Sequence, residues 1–180
     1  MSDVLDRIYA RCEVIAEVVL QMQPMYRRES TSSYQRDHIE TIIGAGLWYI
    51  PNKPLWTGRI SCGAVASHHP DSGILRPRLT EDHAYPRKAA ARKLLQMDWS
   101  QFGDAGLELS KLYVQTFGRF NLVTPAENRA LMPYQRAHRF ESAELAYRDA
   151  GISLLALTGE QLQLVRARDG PSIEAMLRMC

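Results

Sequence analysis

The sequence has few cysteines, no long apolar run and no marked excess of one charge. Its three cysteines, Cys12, Cys62 and Cys180, are widely spaced and form no CxxC pair. That spacing indicates neither a disulfide framework nor a thiolate zinc site, and it favours a reducing compartment. No apolar stretch approaches the roughly 18 residues that cross a bilayer, and the N-terminus is acidic and amphipathic, unlike a secretion signal. We therefore expect a cytoplasmic protein with no membrane partner.

The overall charge excludes few classes of function, but the charged residues are unevenly distributed along the chain. A net charge of +2 over 180 residues is too mild to predict a nucleic-acid partner, and 46% hydrophobic residues are typical of a globular protein. Between residues 76 and 93, two acidic residues are outnumbered by six basic ones, Arg76, Arg78, Arg87, Lys88, Arg92 and Lys93. This segment either binds phosphate or forms a solvated face.

Apolar residues recur at steps of three and four along several segments, which is the period of an amphipathic helix. The first such segment spans residues 3–23, and Pro24 is expected to end it. Residues 51–73 are rich in glycine and proline, which predicts a loop with short strands. Further helices are predicted at 33–50, 104–117, 141–151 and 171–179.

Residues 120–123 are typical of a short strand, and a helix start follows them directly. Thr124, Pro125 and Glu127 match an N-cap, a first-turn proline and the third-position glutamate of a capping box. Asn128 occupies the next helical position, where asparagine is unfavourable and is not needed as a cap. It is a buried amide bonded to a neighbouring loop, an exposed residue or a functional one.

Two stretches together resemble a known arrangement. LTEDHAYPR contains a strand-like TEDH that ends in Asp82 and His83, and RFNLVTPAENRAL carries Asn121 seven residues before Asn128. The same order, aspartate–histidine on a first strand, asparagine on a second and histidine or asparagine on a capped helix, occurs in the ββα-metal finger of HNH nucleases, which the chain resembles. It departs from the commoner pattern in its long helical segment 84–120, its final asparagine and its lack of zinc-knuckle cysteines.

The resemblance implies roles that the chemistry of these side chains supports. Phosphodiester hydrolysis needs an activated water and stabilisation of charge on the phosphate. A histidine held in one tautomer is suited to take a proton from water near neutral pH, so His83 is the expected general base. Asp82 and Asn128 carry the oxygen ligands that Mg²⁺ or Mn²⁺ prefers, so they are the expected ligands of one divalent ion.

The remaining expected site residues orient the general base His83 or bind the substrate. By resemblance, Asn121 bridges the backbone of the finger and fixes the orientation of His83, so it counts with the catalytic set. Arg87, Lys88 and Arg129 are expected to contact the substrate backbone or the leaving oxygen.

Asp82 and His83 are adjacent in the sequence, which restricts the conformation of the strand that carries them. Consecutive residues on a regular strand point to opposite faces, so both can serve one site only if the strand ends or bends there. Pro86 disfavours helical geometry at Tyr85, which is consistent with such a bend.

Together these features predict a mainly helical α+β domain built around an HNH-like ββα-metal finger. We expect an N-terminal helical region (1–75), a nuclease core with a helical insertion (76–135) and a C-terminal helical and strand extension (136–180) within one compact domain. The expected activity is metal-dependent hydrolysis of DNA, in restriction or phage defence, by a homodimer or by a subunit of a larger complex.

Two other interpretations stay open. One is a non-catalytic helical module that binds nucleic acid or a protein partner through its basic segment, with the asparagines as structural amides. The other is a small hydrolase that uses Asp82 and His83 on a different substrate.

Overall fold

A computed structural model describes residues 2–136 and 138–180, and the chain divides into two compact units. The first, here called the helical unit, comprises Met1–Leu55, His83–Arg119 and Arg136–His138. The second, here called the sheet unit, comprises Trp56–Asp82, Phe120–Gln135 and Arg139–Cys180. The chain passes from the sheet unit to the helical unit between Asp82 and His83. The three regions expected from the sequence are not decided by this division and stay a prediction.

The described residues form a mainly helical α+β structure, as the sequence predicts. In chain order the elements are α1 (Ser2–Arg27), α2 (Ser33–Trp48), β1 (Trp56–Ser61), α3 (Cys62–His68), β2 (Thr80–His83), α4 (Arg87–Gln96), α5 (Ala105–Leu112), β3 (Phe120–Val123), α6 (Pro125–Leu131), α7 (Ala143–Asp149), β4 (Leu154–Ala156), α8 (Gly159–Ala167) and α9 (Gly170–Leu177). A π-helical turn, Tyr113–Phe117, follows α5. No helix in the described chain is both long and apolar enough to cross a membrane.

The core of the helical unit lies between α1 and the helices α2, α4 and α5. Ile8, Cys12, Ala16 and Val19 are buried on one face of α1, at the steps of three and four that the sequence predicts. The helix α2 begins at Ser33, where the sequence predicts a helix start, and Ser32 is its N-cap. Periodic apolar residues and a local cap are therefore sufficient to place these two helices.

The first helix does not end at Pro24 as predicted but continues to Arg27. A proline inside a helix removes one backbone hydrogen bond, so the last turn needs support from elsewhere. That support comes from the end of α4, where Gln23 and Arg27 donate side-chain hydrogen bonds of 2.7–3.2 Å to the carbonyl oxygens of residues 95–97. These contacts outweigh the local preference of Pro24, and nothing in the local sequence reveals them.

The sheet unit contains a sheet of four strands in the described residues, in the order β2-β3-β1-β4. The strand β1 runs parallel to β3 and antiparallel to β4. The strands β2 and β3 run antiparallel, because Ala84, just after β2, donates its N–H to the carbonyl of Arg119, just before β3. The parallel strands β1 and β3 each lead directly into a helix, α3 and α6, with Ser61 and Thr124 as the N-caps.

Residues 62–68 form the helix α3, although the sequence predicts a loop with short strands there. Ser61, the last residue of β1, starts this helix, because its hydroxyl accepts a hydrogen bond from the N–H of Ala64 at 3.0 Å. Ala64 and Val65 then pack with Ile60 in the apolar core of the sheet unit. The capping serine Ser61 thus explains why a helix follows β1 where the sequence predicts a loop with short strands.

Cys62 and Cys180 form a disulfide bond, with 5.9 Å between their Cα atoms. The prediction that the cysteines form no disulfide is therefore wrong. It rested on spacing along the chain, whereas the bond depends on the packing of α3 against α9, which brings together residues 118 apart in sequence. Cys12 is a free thiol in the core of the helical unit. The expectation of a reducing compartment stays a prediction.

Candidate functional site

Asp82 lies on β2 in a buried polar cluster of the sheet unit, and only 3% of its surface is exposed. Its carboxylate accepts hydrogen bonds from the side-chain amide of Gln135, at 2.9 and 3.0 Å, and from the hydroxyl of Tyr147. A buried carboxylate needs such donors because it has lost its hydration. The sequence marks Asp82 as a metal ligand but carries no signal for these two partners, since both follow it by more than 50 residues.

Tyr147, on α7, connects Asp82 to Asn121. Its side chain is buried in an apolar cluster with Val123 and Leu131. Burial, and then the charge of Asp82 and the hydrogen bond to it, raise the pKa of the Tyr147 hydroxyl far above its usual value. A side-chain hydrogen bond from Asn121 to the same hydroxyl opposes this rise in pKa. The hydroxyl is therefore a permanently neutral donor that fixes the position of the Asp82 carboxylate.

Asn121, on β3, is also 3% exposed, and its side-chain oxygen accepts a hydrogen bond from the hydroxyl of Thr57 on β1 at 2.5 Å. Asp82, Asn121 and Thr57 therefore contribute one polar side chain from each of three neighbouring strands to a single connected cluster. Connected and satisfied polar groups of this kind make a sheet rigid at the place where they lie. The predicted role of Asn121, which is to orient His83, stays a prediction.

Glu127 joins the two helix starts that follow the parallel strands. Its Oε2 atom accepts hydrogen bonds from the N–H and the hydroxyl of Thr124, at 2.8 and 2.9 Å, which confirms the predicted capping box. The same oxygen accepts a hydrogen bond from the hydroxyl of Ser61 at 2.6 Å, which the sequence does not indicate. Gly63 permits this approach, because a Cβ atom there would lie 2.5 Å from Glu127 Oε1. The carboxylate is thus fixed to the end of β1 as well as to α6.

Asn128 occupies the next position on α6 and is partly buried. Its backbone N–H bonds to the carbonyl of Thr124 at 2.9 Å, as the helix requires. Its side-chain amide makes no hydrogen bond to any residue that the structure describes. The amide is therefore not a bridge to a neighbouring loop within those residues, and its hydrogen-bonding groups are left for water or a ligand.

His83, the last residue of β2, makes its contacts in the helical unit. Its Nδ1 atom lies 3.4 Å from the carbonyl oxygen of Phe117, and its ring centroid lies 6.3 Å from that of Trp48. Because a carbonyl oxygen can only accept a hydrogen bond, Nδ1 carries the proton and Nε2 keeps the lone pair. This tautomer is the one that a base acting through Nε2 requires.

Burial and, to a smaller extent, the positive charge of Arg87 together lower the pKa of His83 to about 4. The carbonyl of Phe117 opposes this shift, because it stabilises the protonated ring, but its effect is smaller. The imidazole is therefore neutral at pH 7 and able to accept a proton. Its low pKa makes it a weak base, so water that reacts with it must be acidified by other means.

The three predicted substrate-binding residues have different surroundings. The guanidinium of Arg87 stacks on the exposed ring of Trp48. Lys88 forms an ion pair with Asp37, so its charge is partly compensated. Arg129, on α6, is exposed and forms no ion pair with a carboxylate in the described ranges. Of the three, Arg129 has its full charge free for a ligand.

The side chains expected to hold a divalent ion have suitable chemistry. Mg²⁺ prefers oxygen ligands and keeps several waters, so one carboxylate and one amide are a sufficient protein contribution. Asp82 and Asn128 carry these two groups, although the oxygens of Asp82 are bonded to Gln135 and Tyr147 in this structure. Across residues 2–136 and 138–180, no three His, Cys, Asp or Glu side chains gather in one place. An ion held by Asp82 and Asn128 would take its other ligands from water and substrate.

The structure therefore distributes the predicted site residues between the units. Asp82, Asn121, Asn128 and Arg129 belong to the sheet unit, and His83, Arg87 and Lys88 belong to the helical unit. Comparison of the chain with protein-family models, curated proteins and solved structures finds no match. The resemblance to HNH nucleases thus rests on these residues and on their order along the elements.

Proposed function

We propose that the protein is a metal-dependent endonuclease of the HNH type that hydrolyses phosphodiester bonds in DNA. The observation that carries the proposal is the order of elements in the sheet: β2 pairs antiparallel with β3, and β3 leads directly into the capped helix α6. Asp82, Asn121 and Asn128 fall on the first strand, the second strand and the helix. We therefore interpret β2, β3 and α6 as a ββα-metal finger, with α4 and α5 inserted between its strands.

His83 is the general base in this proposal. Its ring is neutral at pH 7, and the carbonyl of Phe117 keeps the proton on Nδ1, so Nε2 takes a proton from the attacking water. A bound Mg²⁺ or Mn²⁺ would acidify water and stabilise charge on the phosphate. Asp82 and Asn128 would hold this ion through their side-chain oxygens.

Other residues position these groups or bind the substrate. Tyr147 and Asn121 fix the carboxylate of Asp82 through the hydrogen-bonded cluster, and neither needs to touch DNA. Arg87, Lys88 and Arg129 contact backbone phosphates, and Lys88 exchanges Asp37 for phosphate when it does so. By its resemblance to the HNH family, we place the activity in restriction or phage defence. A homodimer or larger complex is expected because cutting both strands requires two active sites or two visits.

Plasmid nicking tests this proposal. The purified protein is incubated with supercoiled plasmid and Mg²⁺ or Mn²⁺, with EDTA as the metal-free control, and the appearance of open-circular DNA is followed. We expect metal-dependent nicking that falls by about 100-fold or more in His83→Ala, because general acid–base catalysis typically contributes that much. Asn128→Ala is expected to raise the metal concentration required. His38→Ala, which removes an exposed histidine of α2, serves as the matched control and should nick as the parent does.

The bonding of Asp82 favours a second candidate function. A buried carboxylate that is already bonded to Gln135 and Tyr147 can act as a structural residue in a non-catalytic module that binds nucleic acid or a protein. DNA binding without metal-dependent nicking, in the parent and in His83→Ala alike, would favour that module. Metal-dependent turnover of nucleotides with intact plasmid would instead favour a small hydrolase that uses Asp82 and His83.

A further inference from the structure

A groove in the sheet unit is lined by three arginines. It lies along α3, the segment 72–78 and the first turn of α6, and its cavity measures about 820 Å³. This volume is within the range of sites that bind small organic ligands. The side chains that line it include Arg76, Arg78, Arg129, Ser67, Ile74 and Glu127. We call it the arginine groove.

The positive charge of the arginine groove is only partly compensated. Arg76, Arg78 and Arg129 are exposed, and none of them forms an ion pair with any carboxylate that the structure describes. Glu127 is the one acidic residue among the described residues that line the groove, so it offsets one of the three positive charges, and its Oε2 atom is held by Ser61 and Thr124. A concave surface with excess positive charge attracts anions, and guanidinium groups match phosphate oxygens in pairs.

One wall of the arginine groove is held in place by Arg168. Its guanidinium donates hydrogen bonds of 3.2–3.3 Å to the carbonyl oxygens of residues 68–70 and of Leu75. Ser72, within this segment, adds a bond from its hydroxyl to the carbonyl of Ser67 at 3.0 Å. The loop that leads into the arginine-bearing segment is therefore ordered before any ligand arrives, which reduces the entropic cost of binding.

We propose that the arginine groove binds the sugar–phosphate backbone of one strand of the DNA substrate, an inference that rests on the endonuclease function proposed above. Two placements favour a DNA strand over a free phosphate or an acidic protein. Arg129 is adjacent to Asn128 on α6, and Arg78 stands two residues before the start of β2, the strand that carries Asp82. Two of the groove arginines are thereby close in sequence to the two residues assigned to the metal.

Binding without cleavage isolates the groove from the chemistry. The full chain is titrated in EDTA into a 5′-labelled DNA duplex, and fluorescence anisotropy gives Kd at several salt concentrations. The double variant Arg76→Ala/Arg78→Ala is compared with Arg166→Ala/Arg178→Ala, which removes the same charge from exposed positions outside the groove lining. Circular dichroism checks that both variants are folded.

We expect the groove variant to raise Kd by about 10-fold or more, and the control variant to change it by less than about 3-fold. The slope of log K against log salt concentration should become shallower by about 2 in the groove variant alone, because each lost phosphate contact contributes about 0.9. Equal losses in both variants would overturn the proposal, since affinity would then follow total charge.

Competition separates the possible ligands. Unlabelled DNA should displace the probe better than polyglutamate of equal charge or millimolar inorganic phosphate. The opposite order would mean that the ligand is an acidic protein or a free anion and not DNA.

The nicking assay distinguishes failure of the groove proposal from failure of the nuclease proposal. If the parent protein binds DNA through the groove but does not nick it with Mg²⁺, the groove proposal stands and the nuclease proposal is wrong. If the parent nicks DNA but the groove variant has an unchanged Kd, the nuclease proposal stands and the groove proposal is wrong.

Discussion

The Nδ1 atom of His83 lies 3.4 Å from the carbonyl oxygen of Phe117, the last residue of the π-helical turn. The pair explains why His83 has one defined tautomer, while burial and Arg87 lower its pKa to about 4. In the unfolded chain the same residue has its ordinary pKa near 6.5. The two states therefore bind protons differently over a known range of pH.

We expect His83 to make the folded protein less stable as the pH falls from about 6.5 to 4, because in that window the unfolded chain takes up a proton that the folded chain does not bind. Well above pH 6.5 both states are neutral at this residue and the effect disappears. At pH 4.5 it is about 2 kcal/mol after allowance for partial exposure of the ring. Urea unfolding at pH 7 and pH 4.5 should show a smaller loss in His83→Asn than in the parent, whereas His38→Asn should match the parent. Equal losses in all three proteins would contradict a buried neutral imidazole.

Tyr147→Phe should lower the free energy of unfolding by about 1.5–3 kcal/mol, because it leaves the buried carboxylate of Asp82 without one of its donors. The ring itself is kept, so the loss reports on the hydroxyl. Tyr134→Phe is the matched control, since Tyr134 is 39% exposed, and its effect should be close to zero. Urea unfolding at pH 7 gives both values. A Tyr147→Phe protein as stable as the parent would mean that Asp82 does not depend on this bond.

Reduction of the Cys62–Cys180 disulfide should lower the free energy of unfolding by about 4–5 kcal/mol, because the bond closes a loop that spans 118 positions and restricts the unfolded chain. Urea unfolding with and without a phosphine reductant measures the loss. The variant Cys62→Ser/Cys180→Ser should show the same low stability and no response to reductant.

Alkylation distinguishes the third cysteine in the same samples. Burial raises the pKa of Cys12 to about 12, so its thiol should stay unlabelled in the folded protein even after Cys62 and Cys180 have been reduced and labelled. Labelling of Cys12 at the same rate as the other two would contradict its burial in the core.

Two substitutions at Arg168 should separate its side chain from its backbone. Arg168 has a φ angle of 59°, which glycine adopts without strain and alanine does not. Both Arg168→Ala and Arg168→Gly remove the bonds to residues 68–70 and Leu75, so amide exchange in the loop 68–75 should become faster in both. The glycine variant should be about 1 kcal/mol more stable than the alanine variant. Unchanged exchange in both would show that Arg168 does not hold the loop.

The elements predicted correctly from the sequence are those whose signals are local. These are the periodic apolar face of α1, the start of α2 at residue 33, the cap Thr124 and the short strand at 120–123. They depend on neighbours within one or two turns, and the structure confirms them. The extension of α1 beyond Pro24 depends on bonds to residues 95–97, which local propensity cannot contain.

The candidate site shows the same limit. The residue types at positions 82, 121 and 128 could be selected from the sequence because their chemistry and order matched a known pattern. Tyr147 and Gln135 could not, because their bonds to Asp82 arise only when α7 and the segment after α6 fold onto the sheet. The disulfide was missed for a related reason, since the packing of α3 on α9 has no counterpart in cysteine spacing.

The structure of the π-helical turn at Tyr113–Phe117 depends on the number of residues in this segment. Such a turn accommodates one residue more than an α-helical turn, and here the N–H of Gly118 reaches back five residues to the carbonyl of Tyr113. Loss of one residue from this stretch would let an ordinary α-helical turn replace the wider one, and the backbone that carries the carbonyl of Phe117 would then follow a different path. Natural variants of this chain should therefore keep the number of residues in this turn constant if they are to keep the imidazole in its present tautomer.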